Sequence, residues 1–72
     1  MNRNEFIKLI KSIGFKPYDN YVSYTYKEFA LSLWNYYYDF WNGSNWVDYI
    51  PYNDLTLVLK LSRSIKLKEL LK

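Results

Sequence analysis

The sequence predicts a small α+β fold, one compact domain over residues 1–72. It consists of an N-terminal helix, an antiparallel β-meander of three to four strands, and one or two C-terminal helices. Three observations predict it. Apolar residues recur at helical spacing in 4–13. Apolar and polar residues alternate with period two between 20 and 34. Asn42-Gly43 separates two aromatic runs, which is the pattern of a tight hairpin.

In the first element Phe6, Leu9, Ile10 and Ile13 share a face, with Lys8, Lys11 and Ser12 elsewhere on the wheel. Asn2 is placed to cap this helix, with Glu5 three residues on, close to a capping box. Gly14 suits the left-handed position after the last turn, and Phe15 can then fold back against the helix.

Residues 20–26, NYVSYTY, place Val22, Tyr24 and Tyr26 on one strand face. Residues 28–34, EFALSLW, place Phe29, Leu31 and Leu33 on one face. The apolar parity switches between 26 and 29, so a turn or bulge is expected at Lys27-Glu28. Asn35 marks the next turn.

A two-residue type I′ turn at Asn42-Gly43 pairs Trp41 with Ser44, Phe40 with Asn45, Tyr38 with Val47 and Tyr36 with Tyr49. Alternation then gives a core face of Tyr36, Tyr38, Phe40, Val47 and Tyr49. The opposite face carries Tyr37, Asp39, Trp41, Ser44, Trp46 and Asp48. The second face cannot be fully buried, because two carboxylates would lose their hydration. It is therefore an aromatic, acidic surface open to solvent, and surfaces of that kind serve interaction.

Pro51 ends the second hairpin strand or confines it to the margin of the sheet. Residues 54–64, DLTLVLKLSRS, fit a strand with Leu55, Leu57, Leu59 and Leu61 on one face. They equally fit a helix with Leu55, Leu57, Val58, Leu59, Leu61 and Ile65 in one broad arc and Thr56, Lys60, Arg63 and Ser64 opposite. Helix is favoured because leucine is the better helix former and Asn53, Asp54 or Thr56 can cap it. Leu67, Leu70 and Leu71 fall on a different arc, which predicts a kink or a second helix near Ser64.

Composition excludes several chemistries. The chain has no Cys and no His, hence no disulfide, no thiolate metal site and no histidine base. No run of ~18 apolar residues exists, so a soluble, cytoplasmic chain is expected. Asp39 and Asp48 lack a third ligand for a metal, Ser44 lacks a base, and two glycines make no phosphate loop. No enzyme activity, metal or cofactor is expected.

Charge is segregated. Arg3, Lys8, Lys11 and Lys16 against Glu5 give the first sixteen residues +3. Lys27 against Asp19, Glu28, Asp39, Asp48 and Asp54 gives residues 17–54 a charge of −4. Lys60, Arg63, Lys66, Lys68 and Lys72 against Glu69 give the remainder +4. An acidic aromatic middle thus lies between basic ends.

Residues 6–15, FIKLIKSIGF, leave a helix through a Gly-aromatic exit toward an aromatic strand. This resembles the opening of small mRNA-interferase toxins with a double-stranded-RNA-binding-like fold. The resemblance covers ten residues and would imply that fold. Those toxins rely on a histidine, which this chain lacks, so it carries no activity over.

Three functions compete. The first is a small non-enzymatic inhibitor or adaptor, of the anti-defence type that phages and mobile elements encode against host nucleases. It would dock Tyr37, Asp39, Trp41, Trp46 and Asp48 on a basic, nucleic-acid-handling protein. The second is a binder of RNA or single-stranded nucleic acid, using Lys60, Arg63, Lys66 and Lys68 on a helix. Acid among the sheet aromatics opposes phosphate there. The third is a self-assembling structural protein, such as a homodimer formed through the same aromatic face.

Overall fold

The computed structural model describes residues 1–18 and 22–70, with side chains to residue 67. The order is α1 (Arg3–Ile13), β1 (Lys16–Pro17), β2 (Ser23–Tyr26), β3 (Phe29–Leu33), β4 (Tyr37–Trp41), β5 (Trp46–Pro51) and α2 (Thr56–Leu70). The strands form one antiparallel meander in the order β1-β2-β3-β4-β5. The expected three to four strands become five, because Lys16 and Pro17 pair with Thr25 and Tyr24. A two-residue strand has no alternation to read. The part of the predicted 20–26 strand that includes Asn20 and Tyr21 lies outside the described residues.

α1 begins as its sequence dictates. The Glu5 amide donates to Asn2 Oδ1 at 2.9 Å, and the Asn2 amide donates to Glu5 Oε1 at 3.3 Å. The helix stops at Gly14, whose φ of 131° few other residues adopt. A Cβ there would also lie 2.5 Å from Tyr26 Cε2, so ring and backbone both require glycine. The Phe15 amide donates back to the Ile10 carbonyl at 3.0 Å, and its side chain turns into the core.

Both helices lie on one face of the sheet. Phe6 and Ile10 of α1 and Val58, Leu61 and Ile65 of α2 are buried with Tyr24, Leu31, Leu33, Tyr38, Phe40, Ile50 and Tyr52. Phe6 sits between the Tyr38 and Tyr52 rings, with centroids at 4.4 and 5.1 Å. Each of these tyrosines satisfies its hydroxyl on a backbone carbonyl. Tyr38 donates to Asp54 at 2.7 Å, and Tyr52 donates to Trp34. Burial first, and the Asp54 charge next, push the Tyr38 hydroxyl above the ordinary tyrosine range.

Residues 56–70 are helical, so the helix reading of the Leu-rich segment holds. Asp54 Oδ1 accepts the Thr56 amide at 3.1 Å at its start, and hydrogen bonding by the Thr56 side chain first and this amide next holds the exposed carboxyl below its usual range. The kink expected near Ser64 is absent, since α2 runs unbroken to Leu70. The change of apolar phase is absorbed by exposure instead. Ile65 is buried, whereas Leu67 turns to solvent. Leu71 and the Leu70 side chain lie outside the described residues.

Lys27-Glu28 is the two-residue turn that the parity switch predicts, closing Tyr26 against Phe29, with Lys27 at φ 53°. The β4–β5 hairpin departs from expectation. Its loop is Asn42–Asn45, closed by Trp41 opposite Trp46, not by Trp41 opposite Ser44. Asn42 Oδ1 accepts the amides of Ser44 and Asn45, each at 2.9 Å. This side-chain turn widens the loop by two residues. Because the shift is even, Phe40 faces Val47 in place of Asn45, and the parity survives to that point.

Beyond Val47 the register shifts again. Asp48 and Tyr49 together oppose Asp39, and Tyr38 pairs with Ile50. This β-bulge puts Tyr49 at φ 59°. It corrects the expected core face. Tyr38 and Phe40 are buried, but Ile50 replaces Tyr49. Tyr49 is 73 % exposed, and Tyr36, displaced into the β3–β4 turn, is 87 % exposed. Val47 lies on the outermost strand and is also exposed.

Candidate interaction face

The sheet face away from the helices carries the candidate site. On β2 and β3 it is floored by small side chains, Ser23, Thr25, Ala30 and Ser32. On β4 and β5 it rises into aromatic rings. Trp41 pairs with Trp46, their rings 5.5 Å apart. Tyr37 touches Tyr49 on one side at 5.0 Å and Trp34 on the other at 6.4 Å. Among the described residues five aromatic side chains thus line one face, and Trp34, Trp46 and Tyr49 are exposed on it.

Asp39 stands between these two groups of rings. Its Oδ1 accepts the Tyr49 backbone amide at 3.0 Å, and its Oδ2 accepts Trp34 Nε1 at 3.0 Å. The carboxylate therefore fastens the bulge to β4 and fixes the indole of Trp34. Charge-assisted bonds of this type are stronger than neutral ones. The ring cluster and the bulge share one acceptor.

The chain matches no family model, no curated protein and no solved structure.

Of the six residues expected on this face, Tyr37, Asp39, Trp41 and Trp46 come together on it. Asp48 is exposed on the bulge opposite Asp39. Ser44 lies in the loop and not on the paired face. Trp34 and Tyr49 were not among the expected site residues. Trp34 was within reach, because Phe29, Leu31 and Leu33 facing the core put residue 34 on the other side. Tyr49 was not, because it reaches this face only through the bulge.

The basic residues expected to bind nucleic acid lie elsewhere. Lys60, Arg63 and Lys66 are exposed on α2, on the opposite side of the molecule from the rings. The Lys68 side chain is outside the described residues. Arg3 lies at the end of the sheet nearest Trp34. There it lines a cleft of about 430 Å³ with Leu33, Trp34, Asn35, Tyr36 and Tyr37. Burial pushes the Tyr52 hydroxyl upward, while the Arg3 guanidinium, which hydrogen-bonds it, pulls it back.

Among the described residues no three carboxylates gather as metal ligands do. No helix among them is long and apolar enough to cross a membrane.

Proposed function

We propose that this protein is a non-enzymatic interaction module, an inhibitor or adaptor, that docks its open aromatic face on a basic partner protein. The observation that carries this reading is the bulge opposite Asp39. It takes Tyr49 off the core side of the sheet, in a backbone conformation unfavourable to a side chain, and adds its ring to Trp34, Tyr37, Trp41 and Trp46. Tryptophan and tyrosine are the usual anchors of protein interfaces, supplying large contact area at low conformational cost. The segment bearing these rings is acidic, which favours approach of a cationic surface and repels phosphate.

The test is capture by the immobilised protein from a lysate of its source cells, with and without nuclease treatment. The expected result is a captured protein that survives nuclease treatment. It should be lost with Trp46→Ala plus Tyr49→Gly and retained with Lys60→Glu plus Arg63→Glu. The opposite pattern, with capture removed by nuclease or by the α2 variant alone, overturns the reading in favour of nucleic-acid binding through α2.

A further inference from the structure

We infer that the open face receives an arginine side chain of the partner protein at Asp39. This inference rests on the docking reading above and names the residue type that the site recognises.

A carboxylate offers about four lone-pair sites, two on each oxygen. Asp39 uses one on Oδ1 for the Tyr49 amide and one on Oδ2 for the Trp34 indole. Each oxygen therefore keeps one further acceptor site. A guanidinium fork fills that pattern with two parallel N–H donors, whereas an ammonium meets it as a single point.

The rings beside the carboxylate favour the same group. The Trp34 and Tyr49 residues that donate to Asp39 are bridged by Tyr37, which touches both rings. Their π-faces attract a cation, and the flat guanidinium stacks on them as it bonds the acid. Asp39 is half-buried, so its pairing with a partner's cation is less screened than at the open surface. Its rotamer is already held by two donors, so little side-chain freedom is lost on binding.

The probe is a short Arg-Gly repeat peptide, titrated into ¹⁵N-labelled protein beside Lys-Gly and citrulline-Gly peptides of equal length. The expected result is a saturable shift of the Trp34 indole and Tyr49 amide resonances with the arginine peptide. Binding should be about tenfold weaker with lysine, because the fork and the stacking are lost. Citrulline, which keeps the shape without the charge, should give no saturable shift. Tyr49→Gly suits the left-handed backbone and removes only the ring. It should weaken arginine binding about tenfold while leaving a cooperative thermal transition.

Citrulline or lysine binding as tightly as arginine would overturn the inference, as would full binding by Tyr49→Gly. One further outcome separates this inference from the docking reading. If arginine leaves both resonances unmoved while lysate capture is still abolished by Trp46→Ala plus Tyr49→Gly, arginine recognition falls and the docking face stands.

Discussion

Asp39 accepts the backbone amide of Tyr49 across the β4–β5 bulge at 3.0 Å while holding the Trp34 indole on its other oxygen. The two acids of this hairpin therefore differ in role. An asparagine at 39 keeps one acceptor oxygen and must abandon the amide or the indole. Asp39→Asn should cost about 1–2 kcal/mol in urea unfolding, and the Trp34 indole resonance should move. Asp48→Asn, on an exposed side chain, should stay within about 0.5 kcal/mol of wild type. Equal effects of the two would show that the Asp39 clamp contributes nothing to stability.

Tyr49 combines an unfavourable backbone with a favourable ring contact. Its φ of 59° costs a side-chain-bearing residue ~1–2 kcal/mol, which glycine avoids. Its packing on Tyr37 returns about 0.5–1.5 kcal/mol. Tyr49→Gly should therefore lie within ~1 kcal/mol of wild type. Tyr49→Val, β-branched at the same φ, should unfold well below it. A Val variant as stable as the Gly variant would mean that the bulge does not form in solution.

The two glycines should respond differently to Ala. At Gly14 the new Cβ meets a positive φ and the Tyr26 ring at 2.5 Å. At Gly43 it meets a positive φ but only the Glu28 side chain at 3.4 Å. Gly43→Ala should cost ~1 kcal/mol, and Gly14→Ala clearly more, on the order of 2–3 kcal/mol, by denaturation midpoint.

Alkaline pH should unfold the protein through its buried tyrosines. Tyr38 and Tyr52 hold their protons more tightly when folded than their ordinary value of 10.0. Above that pH the unfolded chain loses protons that the native state keeps. Stability is thus complete below about pH 10 and falls as pH rises beyond it, by ~1.4 kcal/mol per pH unit for each tyrosine that stays protonated. Urea unfolding at pH 8 and at intervals above 10 measures the slope. Tyr38→Phe should flatten it, although losing the bond to the Asp54 carbonyl costs ~1 kcal/mol at neutral pH. An unchanged slope in that variant would exclude Tyr38 as its source.

Local signals were legible where they act over three or four residues. The Asn2–Glu5 box, the Gly14 stop, the fold-back of Phe15 and the Lys27-Glu28 turn all follow from neighbouring side chains. The core parity of Tyr38 and Phe40 was legible for the same reason. The far half of β5 was not. Asn42 turns the chain with its side chain, and a bulge then reverses which residues face inward. Period-two reading carries parity onward until something interrupts it, and the interruption is held by Asp39, ten residues away. The candidate face was accordingly legible at Tyr37, Trp41 and Trp46 and illegible at Tyr49. The sequence pattern marked Asp39 as an acid on an aromatic face. Only the folded chain shows it bonded on both oxygens.

The bulge has a second consequence, for what happens when many copies meet. β5 is an outer strand of the meander, and its free side would offer unpaired backbone groups to a strand from another molecule. Two residues opposing one bend that strand out of line, and Pro51 removes a donor at its end. At the other margin β1 is two residues long and includes Pro17. Neither margin offers the long, straight template that edge-to-edge growth into cross-β fibrils requires. A chain this rich in tyrosine and tryptophan can therefore display its rings on a β-sheet without inviting its own aggregation.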